Sequence, residues 1–296
     1  MFPSFRRRLN YSNERGGIIW GALFDINSQR KIDYDKKYKH ELSIVACVKN
    51  EAPYLIEWIE YHLYQGVDHF YIYDDGSTDN SREIVENYIK SGIVDWFNSN
   101  VKGKWRQIEI YKNCIKKFKN DSKFMLIIDV DEFIYPVSSA LVDITRKLEE
   151  YNASQLSIPW VIYGSGNQYH MTDEYVISRF TKHQKGVFPL CKSIVNPRRV
   201  MCAHVHSCIV TGITVDENLK ELRLNQFPRS GNLVRINHYP LKSREEFEKK
   251  KRRGNVTDTK NSDDYFFLYD RNEIDDGDLM KKIAEEISIA SKNRFS

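Results

Sequence analysis

Short apolar segments alternate with amphipathic helical segments between Leu42 and Ile128, and this alternation limits the possible folds more than any other feature. Each apolar segment has the length of a buried strand, whereas the segments between them repeat their apolar residues at helical spacing. Strands joined by helices assemble into a mainly parallel sheet with helices on both faces. The sequence therefore predicts an α/β fold. The predicted strands cover Leu42–Val48, His69–Tyr73, Ile93–Phe97 and Phe124–Ile128, and the helices between them begin near Pro53, Ser81 and Lys104.

Beyond residue 135 the pattern changes to strand-like runs with little helix between them. The runs cover residues 156–164, 175–180, 192–195, 204–210 and 233–239, and helical patterns follow at 243–253 and 279–292. This order predicts a mixed half that continues the same sheet. We divide the chain into a basic N-terminal arm (1–40), a main domain (41–254, with halves 41–135 and 136–254) and a C-terminal helical segment (255–296).

Polar residues follow three of the predicted strands, at the carboxyl edge where α/β sheets bind their ligands. Two carboxylates separated by one residue, as in Asp129-Val130-Asp131, can both reach one divalent cation that bridges to phosphate oxygens. The alternative is that these acids only end strands and cap helices, and we expect Asp79 to be such a cap. Since three polar breaks meet at one edge, we favour a ligand site. Its candidate residues are Asn50, Glu51, Asp74, Asp75, Asp129 and Asp131.

A histidine and cysteine cluster in the second half suggests a metal. Cys202, His204, His206 and Cys208 alternate along a predicted strand. Same-face neighbours on a strand lie about 6.6 Å apart, so the two cysteines would be roughly 20 Å apart, too far for one tetrahedral zinc ion. A single histidine that completes the metal site at Asp131 is the better hypothesis. The alternative is a buried, hydrogen-bonded histidine.

A second histidine precedes the most basic segment of the chain. His238 and Lys242 stand just before REEFEKKKRRG and could neutralise a leaving diphosphate. The alternative is a helix start at which Ser243 and Glu246 form a capping box. The run at 249–253 reads as a solvated helix face.

Together these motifs resemble glycosyltransferase family 92 and the related family-2-like bacterial transferases. The resemblance extends over residues 42–254 and rests on CVKNEAPYLIEWIEYHLYQGVDHFYIYDDGSTDN, LIIDVDEF, WVIYGSG and NHYPLKSREEFEKKKRRG. It implies a GT-A fold with a Rossmann-like nucleotide-binding half. It also implies metal-dependent, inverting transfer of a hexose, with galactose favoured, from a UDP-sugar. The implied acceptor is a hydroxyl of a glycan or lipid-linked saccharide in cell-surface polysaccharide synthesis.

The resemblance also implies roles for single residues. Asp129 and Asp131 match the family's DxD motif, and His206 is favoured over His238 as a third ligand to Mn²⁺ or Mg²⁺. The general base of such enzymes lies in an Asp/Glu pair, for which Asp173-Glu174 is the nearest local candidate. Donor binding is expected at Asn50, Glu51, Asp74, Asp75, Lys104, Gln107, Asp129, Lys192, His238 and Lys242.

Charge and cysteine content bear on partners and compartment. A net charge of +4 is low for a protein that binds nucleic acid through phosphate contacts. Five cysteines without a CxxC pair favour a reducing cytosol, and neither a signal sequence nor a transmembrane run is apparent. Residues 1–40 carry nine Lys/Arg against four Asp/Glu, and residues 242–253 carry seven against three. We therefore expect a cytoplasmic protein, peripheral on the inner face of the membrane, that meets anionic lipid or a phosphorylated acceptor.

Two other functions fit parts of the sequence. LIIDVDEF also resembles the first motif of haloacid-dehalogenase-like phosphatases, in which Asp129 would be a nucleophile. The basic segments could instead belong to a membrane-surface or polyanion-binding module without catalysis. The glycosyltransferase hypothesis explains more of the motifs than either alternative.

Overall fold

The computed structural model describes residues 37–103, 105–223, 226–253 and 262–295. The strands are β1 (His40–Val48), β2 (His69–Asp74), β3 (Val94–Asn98), β4 (Ser122–Ile127), β5 (Glu132–Pro136), β6 (Gln155–Ile162), β7 (Lys182–His183), β8 (Phe188–Val195), β9 (Val200–Cys202), β10 (Ile209–Val210), β11 (Thr214–Val215), β12 (Val234–His238) and β13 (Ile274–Asp275). The helices are α1 (Ala52–Tyr64), α2 (Ser81–Ile84), α3 (Glu86–Lys90), α4 (Arg106–Phe118), α5 (Leu141–Glu150), α6 (Val176–Arg179), α7 (Arg244–Arg253), α8 (Asp263–Tyr269) and α9 (Gly277–Arg294). A short 3-10 helix covers Pro197–Arg199.

One large mixed sheet organises the described part of the chain, with the order β3-β2-β1-β4-β8-β6-β12-β5 and with β11 beside β6. Strands β1 to β4 run parallel, as do β6, β11 and β12. Strand β8 is antiparallel to both β4 and β6, and β5 is antiparallel to β12. The prediction of an α/β fold around a mixed, mostly parallel sheet is confirmed.

Strand β1 is buried on both faces, as a strand in a helix-covered parallel sheet must be. Ile44, Ala46 and Val48 pack into the larger core, which includes residues of α1. Val45 and Cys47 point to the opposite face and pack into a second core, which includes residues of α4. Alternate side chains thus serve two helical layers, which explains why the segment reads as one continuous apolar run.

The predicted strand at 175–180 is wrong, because Val176–Arg179 is a short helix. The carboxylate of Glu57 accepts hydrogen bonds from the buried amides of Val176 (2.7 Å) and Ile177 (2.9 Å), which have no partner within the first turn of the helix. Its partner lies more than a hundred residues away, and the local pattern therefore could not reveal it. Likewise, the predicted helix at 81–90 is interrupted and forms α2 and α3.

The predicted strand at 204–210 is mostly loop, and its regular part is β10 alone. The side chain of Gln155 makes the backbone hydrogen bonds that a neighbouring strand would otherwise make. Its Oε1 accepts from the Cys208 amide (2.8 Å), and its Nε2 donates to the Cys208 carbonyl (3.3 Å). The geometric argument against zinc assumed a strand here and therefore fails. Even so, the described residues contain no cysteine–histidine group with metal-binding geometry.

The C-terminal helix α9 packs against α1 and α6. Its apolar residues Met280, Ile283, Ala284 and Ile287 belong to the larger core. The C-terminal segment therefore shares the core of the main domain, while the domain boundaries drawn from the sequence stay predictions. Most of the predicted basic arm, up to residue 36, lies outside the described residues. Among the described helices, none combines the length and apolar character needed to cross a bilayer.

The buried His62 makes stability depend on pH. Its Nδ1 lies 2.7 Å from the Trp58 carbonyl, and its Nε2 accepts from the Ile134 amide at 3.3 Å. Burial lowers the pKa of His62 to about 3, against a weaker opposing effect of the Trp58 hydrogen bond. Between pH 6.5 and about 3, His62 therefore binds a proton in the unfolded chain but stays neutral in the folded protein. This contribution to stability is fully present above pH 6.5, declines steadily as the pH falls, and is completely lost once the pH falls through about 3.

We expect His62 alone to lower the free energy of unfolding by about 2 kcal/mol between pH 7 and pH 5. Denaturant unfolding of the wild type and His62→Gln at both pH values measures this, because glutamine does not titrate. Burial raises the pKa of Glu57 to about 7, so Glu57 increases the free energy of unfolding as the pH falls. This increase is the same in the wild type and in His62→Gln. An equal decline in both would contradict the assignment.

Candidate functional site

The turns after β1 and β2 are tied together at the carboxyl edge of the sheet. Asn50 adopts φ 52°, a left-handed conformation that asparagine tolerates. Its amide donates to Ser77 Oγ (2.9 Å), and its side-chain oxygen accepts from the Thr78 amide (2.6 Å). Asp79 accepts from the amides of Ala52 and Ser81, both at 3.1 Å. The two polar breaks therefore form one surface. The N-cap residue of α2 is Asn80 and not Asp79 as predicted, although the Asp79 carboxylate accepts from the amide of Ser81, the first residue of that helix.

The acids after β2 have local partners. Asp74 Oδ1 accepts from the Ser77 amide at 2.8 Å, which shapes the turn. Asp75 Oδ2 accepts from Arg106 Nε at 2.6 Å, and the Asp75 side chain is 6% exposed. This ion pair joins the β2 turn to the start of α4. Their roles in donor binding stay predictions, and Lys104 lies outside the described residues.

Asp129, the first acid of the DxD motif, is held by three side chains. Its Oδ1 accepts from Gln107 Nε2 (2.6 Å) and from the Tyr111 hydroxyl (3.1 Å), both on α4. Its Oδ2 accepts from Lys192 Nζ (2.7 Å) on β8. The structure thus brings together three residues that the sequence predicted, and adds Tyr111, which helical spacing from Gln107 could have suggested.

Lys192 also binds a buried acid that sequence reasoning assigned no role. Its Nζ lies 3.1 Å from Glu132 Oε2, and both side chains are almost fully buried. Burial alone would lower the pKa of Lys192. The carboxylates of Asp129 and Glu132 have the larger effect, so the pKa of Lys192 lies above its ordinary value. Burial raises the pKa of Glu132, with Lys192 opposing. Glu132 Oε1 is buried and has no hydrogen-bond partner among the described residues.

Asp131, the second acid, lies in a different network. Its Oδ2 accepts from Lys250 Nζ on α7 at 2.6 Å, and its Oδ1 lies 3.7 Å from His238 Nε2 on β12. Burial would raise the pKa of Asp131, but Lys250, His238 and Lys242 hold it well below its ordinary range. Burial lowers the pKa of His238 to about 4, against the opposing charge of Asp131. His238 is therefore neutral at pH 7, as a metal-binding imidazole must be.

Asp131, Glu132 and His238 form the candidate metal site of the described residues, with their ligand atoms all within 4.8 Å of one another. Carboxylate oxygens suit Mg²⁺ and Mn²⁺, and the Glu132 oxygen without a hydrogen-bond partner among the described residues suits a cation ligand. Asp129 is not in this group, contrary to the expectation that both DxD carboxylates meet one ion. His206 is not in it either. The geometry favours His238 over His206 as the imidazole beside Asp131.

The position of His206 explains the difference. Its Nδ1 lies 3.2 Å from the Cys191 carbonyl, and its carbonyl accepts from Ser193 Oγ at 2.9 Å. Its ring packs against Trp160, with centroids 5.2 Å apart, whereas the His238 ring contacts the same indole at 4.3 Å. His206 thus anchors the 203–208 loop to β8 and lies near the site without belonging to the acidic cluster.

A cavity of about 270 Å³ opens beside Asp131. Pockets for drug-sized ligands usually measure ~300–1,000 Å³, so this cavity fits part of a large ligand. Lys242 (φ 58°) and Asn50 (φ 52°) both line the cavity, and both have a left-handed backbone conformation. Residues with such strained backbones cluster at functional sites. Burial lowers the pKa of Lys242, and its ammonium lies 4.1 Å from the Tyr54 ring. The residues lining the cavity include Asn50, Glu51, Asp131, Met171, Lys242 and Lys250.

Helix α7 begins with the predicted capping box. The Ser243 amide donates to Glu246 Oε2 (3.0 Å), and the Glu246 amide donates to Ser243 Oγ (3.3 Å). Lys250 stands seven residues after Ser243, about two helical turns on, which brings it to Asp131. The interpretation of 249–253 as a solvated face is therefore wrong for Lys250. The spacing from the cap was the signal that could have revealed it.

Asp173 and Glu174 are exposed on the loop between β6 and α6. Neither lines the cavity, although Met171 of the same loop does. The structure thus places the predicted base pair two and three residues beyond a residue of the cavity wall, and outside the cavity lining itself.

A family model described as Glycosyltransferase family 92 matches residues 43–267. The chain belongs to glycosyltransferase family 92. A family 92 protein of Arabidopsis thaliana is 30% identical over 119 residues, which cover 38% of this chain and 20% of that protein. Galactan beta-1,4-galactosyltransferase GALS2 of Arabidopsis thaliana is 25% identical over 228 residues, which cover 74% and 42%. The chain thus spans less than half the length of these family 92 relatives.

Solved structures overlap only loosely with the family 92 chain. S. aureus TarS 1-349 in complex with UDP-GlcNAc overlaps with a TM-score of 0.42 and 11% identity, covering 86% of this chain and 73% of that one. GalNAc-T7 with UDP, GalNAc and Mn²⁺ overlaps with a TM-score of 0.38 and 13% identity, covering 68% and 44%. Overlaps this low support no further conclusion. Family membership itself decides against the phosphatase alternative.

Proposed function

We propose that this chain transfers a hexose from a UDP-sugar to a hydroxyl of a saccharide acceptor, with a divalent cation and with inversion at the anomeric carbon. The observation that carries the proposal is the Asp131–Glu132–His238 cluster beside the cavity that Lys242 and Lys250 line. Acidic ligands for a cation next to two lysine ammonium groups suit a diphosphate leaving group. Galactose is the proposed sugar, because galactan galactosyltransferases are among the relatives.

The residues divide this chemistry among them. Asp131, Glu132 and His238 would hold Mn²⁺ or Mg²⁺, which offsets negative charge on the leaving diphosphate when bound. Lys242 and Lys250 line the same cavity as Asp131 and would offer their ammonium groups to the phosphate oxygens. The role of the network around Asp129 is to fix the DxD turn, because its carboxylate is bonded to α4 and β8.

Inversion requires a base that takes the proton of the acceptor hydroxyl on the face opposite the leaving group. Asp173 and Glu174 stay our proposal for this base, since they lie on the loop that carries Met171 into the cavity wall. Loss of transfer with retained UDP-sugar binding in Asp173→Asn/Glu174→Gln is the result that this assignment requires.

A donor screen tests the function. We expect Mn²⁺ together with UDP-galactose to raise the melting temperature and to support slow sugar release, more than GDP- or CMP-sugars do. Binding that stabilises only the folded state raises its stability in proportion to the logarithm of ligand concentration. The matched control is the same panel with EDTA. Equal shifts with all nucleotides, or none with any, would contradict the proposal.

We further propose that the enzyme works in the cytoplasm at an anionic membrane surface, in cell-surface polysaccharide synthesis. The basic composition of residues 1–40 and 242–253 supports this. In the second segment, Lys249 pairs with Glu245 and Lys251 lies near Glu248, so part of that charge is compensated. Pelleting with anionic vesicles at low but not at high salt is the behaviour that the proposal requires.

A further inference from the structure

The loop between β6 and α6 combines a tightly fixed backbone with exposed aromatic side chains. Tyr169 is 66% exposed. The neighbouring His170 ring meets it edge-on, with centroids 5.0 Å apart. Met171, the next residue, lines the cavity beside Asp131. The aromatic pair therefore stands at the rim of the candidate active site.

Hydrogen bonds from α7 hold this loop in place. The Glu245 amide donates to the Tyr169 carbonyl (2.9 Å), and Glu245 Oε2 accepts from the Met171 amide (3.0 Å). The Arg244 amide donates to the Gln168 carbonyl (3.1 Å). These bonds fix the backbone on both sides of the aromatic pair to the helix that carries Lys250.

A buried ion pair supports the same loop from below. Arg179 binds Glu246 with an N–O distance of 2.8 Å, and each side chain is 2% exposed. The same guanidinium donates to the carbonyls of His170 (3.3 Å) and Thr172 (3.4 Å). Gln168 Nε2 donates to the Arg179 carbonyl at 2.6 Å. A rigid backbone that displays solvent-exposed aromatic rings is the arrangement of a preorganised binding surface.

We infer that residues 169–174 form the acceptor subsite, with Tyr169 as a stacking platform for an uncharged sugar ring. This inference rests on the proposed transferase function and names the part of the site that meets the acceptor. Tyrosine offers a large, rigid apolar face together with a polar tip, which suits the mixed surface of a sugar. The carboxylates of Asp173 and Glu174 are exposed on the same loop, where they can accept hydrogen bonds from hydroxyls. They would repel a phosphorylated or acidic chain.

The test compares Tyr169→Ala with the wild type, using β-1,4-linked galactotetraose, cellotetraose and chitotetraose as acceptor probes. We expect the KM for the best probe to rise about tenfold, which corresponds to ~1.4 kcal/mol of lost stacking. The KM for the UDP-sugar and the rate of UDP-sugar hydrolysis without acceptor should stay unchanged. Tyr169→Phe keeps the ring and should retain the wild-type acceptor KM. Tetragalacturonic acid should bind more weakly than galactotetraose in saturation-transfer NMR.

A matched control is Tyr151→Ala, which removes a tyrosine that is 42% exposed. It lies just before β6, whereas the loop follows the far end of this eight-residue strand, about 25 Å away. Unchanged acceptor KM in Tyr169→Ala would overturn the inference, as would an equal loss of donor binding or no binding of any probe by an active enzyme. Failure of the proposed function would look different: the wild type would then neither bind nor hydrolyse a UDP-sugar.

Discussion

Replacing Asp131 with Asn should reduce sugar transfer by about 10²–10³-fold while the protein stays folded. Asparagine keeps the shape of the side chain but removes the charge that lies between Lys250 and His238. A divalent cation then loses a charged ligand, and the leaving diphosphate loses the cation. Calorimetric titration of Mn²⁺ without nucleotide measures the loss of cation binding, and steady-state kinetics with saturating Mn²⁺ measure the loss of sugar transfer.

The two acids of the DxD motif should differ in this experiment. Asp129→Asn should weaken Mn²⁺ binding less than Asp131→Asn, because Asp129 is bonded to Gln107, Tyr111 and Lys192 and lies outside the acidic cluster. The control is Asp143→Asn on the exposed surface of α5, which should behave as the wild type. Equal loss of Mn²⁺ affinity in both DxD variants would place the cation between the two acids and contradict the cluster.

The strands and the parallel sheet of the first half could be predicted from the sequence because their signals are local. Both faces of β1 are covered by helices, so the residues that point to either face must be apolar. Polar residues can then follow only where the strands end. The capping box at Ser243 was equally local and was confirmed. The same logic found the DxD turn and the β2 turn, because each adjoins an element boundary, whereas Gln107 was predicted only from the family resemblance.

The features that sequence reasoning missed depend on partners far along the chain. The helix at Val176–Arg179 exists because Glu57 caps it, and the 203–208 loop exists because Gln155 replaces a strand. The choice between His206 and His238 depended on which imidazole the fold brings close to Asp131 and Glu132, which no local pattern records. These residues meet only once the sheet has formed, so their identity as partners is a property of the fold.

Replacing Lys192 with Met should destabilise the protein by about 3 kcal/mol, the largest stability effect that we expect of a single exchange at the site. Breaking a buried ion pair by removing one partner usually costs ~3–5 kcal/mol. We take the low end because the Asp129 side chain is 32% exposed, so water partly solvates the orphaned carboxylate. Denaturant unfolding at pH 7 measures the loss. Lys112→Met, on the exposed face of α4, should change stability by less than about 0.5 kcal/mol.

A double variant separates the charge of Lys192 from its packing. Lys192→Met/Asp129→Asn removes both members of the pair, so it should recover roughly half of the lost stability. If the stability losses of the two single variants simply add in the double variant, the ammonium group does not compensate the charge of Asp129. The loss in Lys192→Met then arises from packing beside Trp160, whose ring centroid lies 5.9 Å from Lys192 Nζ. The double variant should remain impaired in transfer even where stability returns, because the Lys192–Asp129 pair fixes the DxD turn, whose second acid, Asp131, lines the cavity.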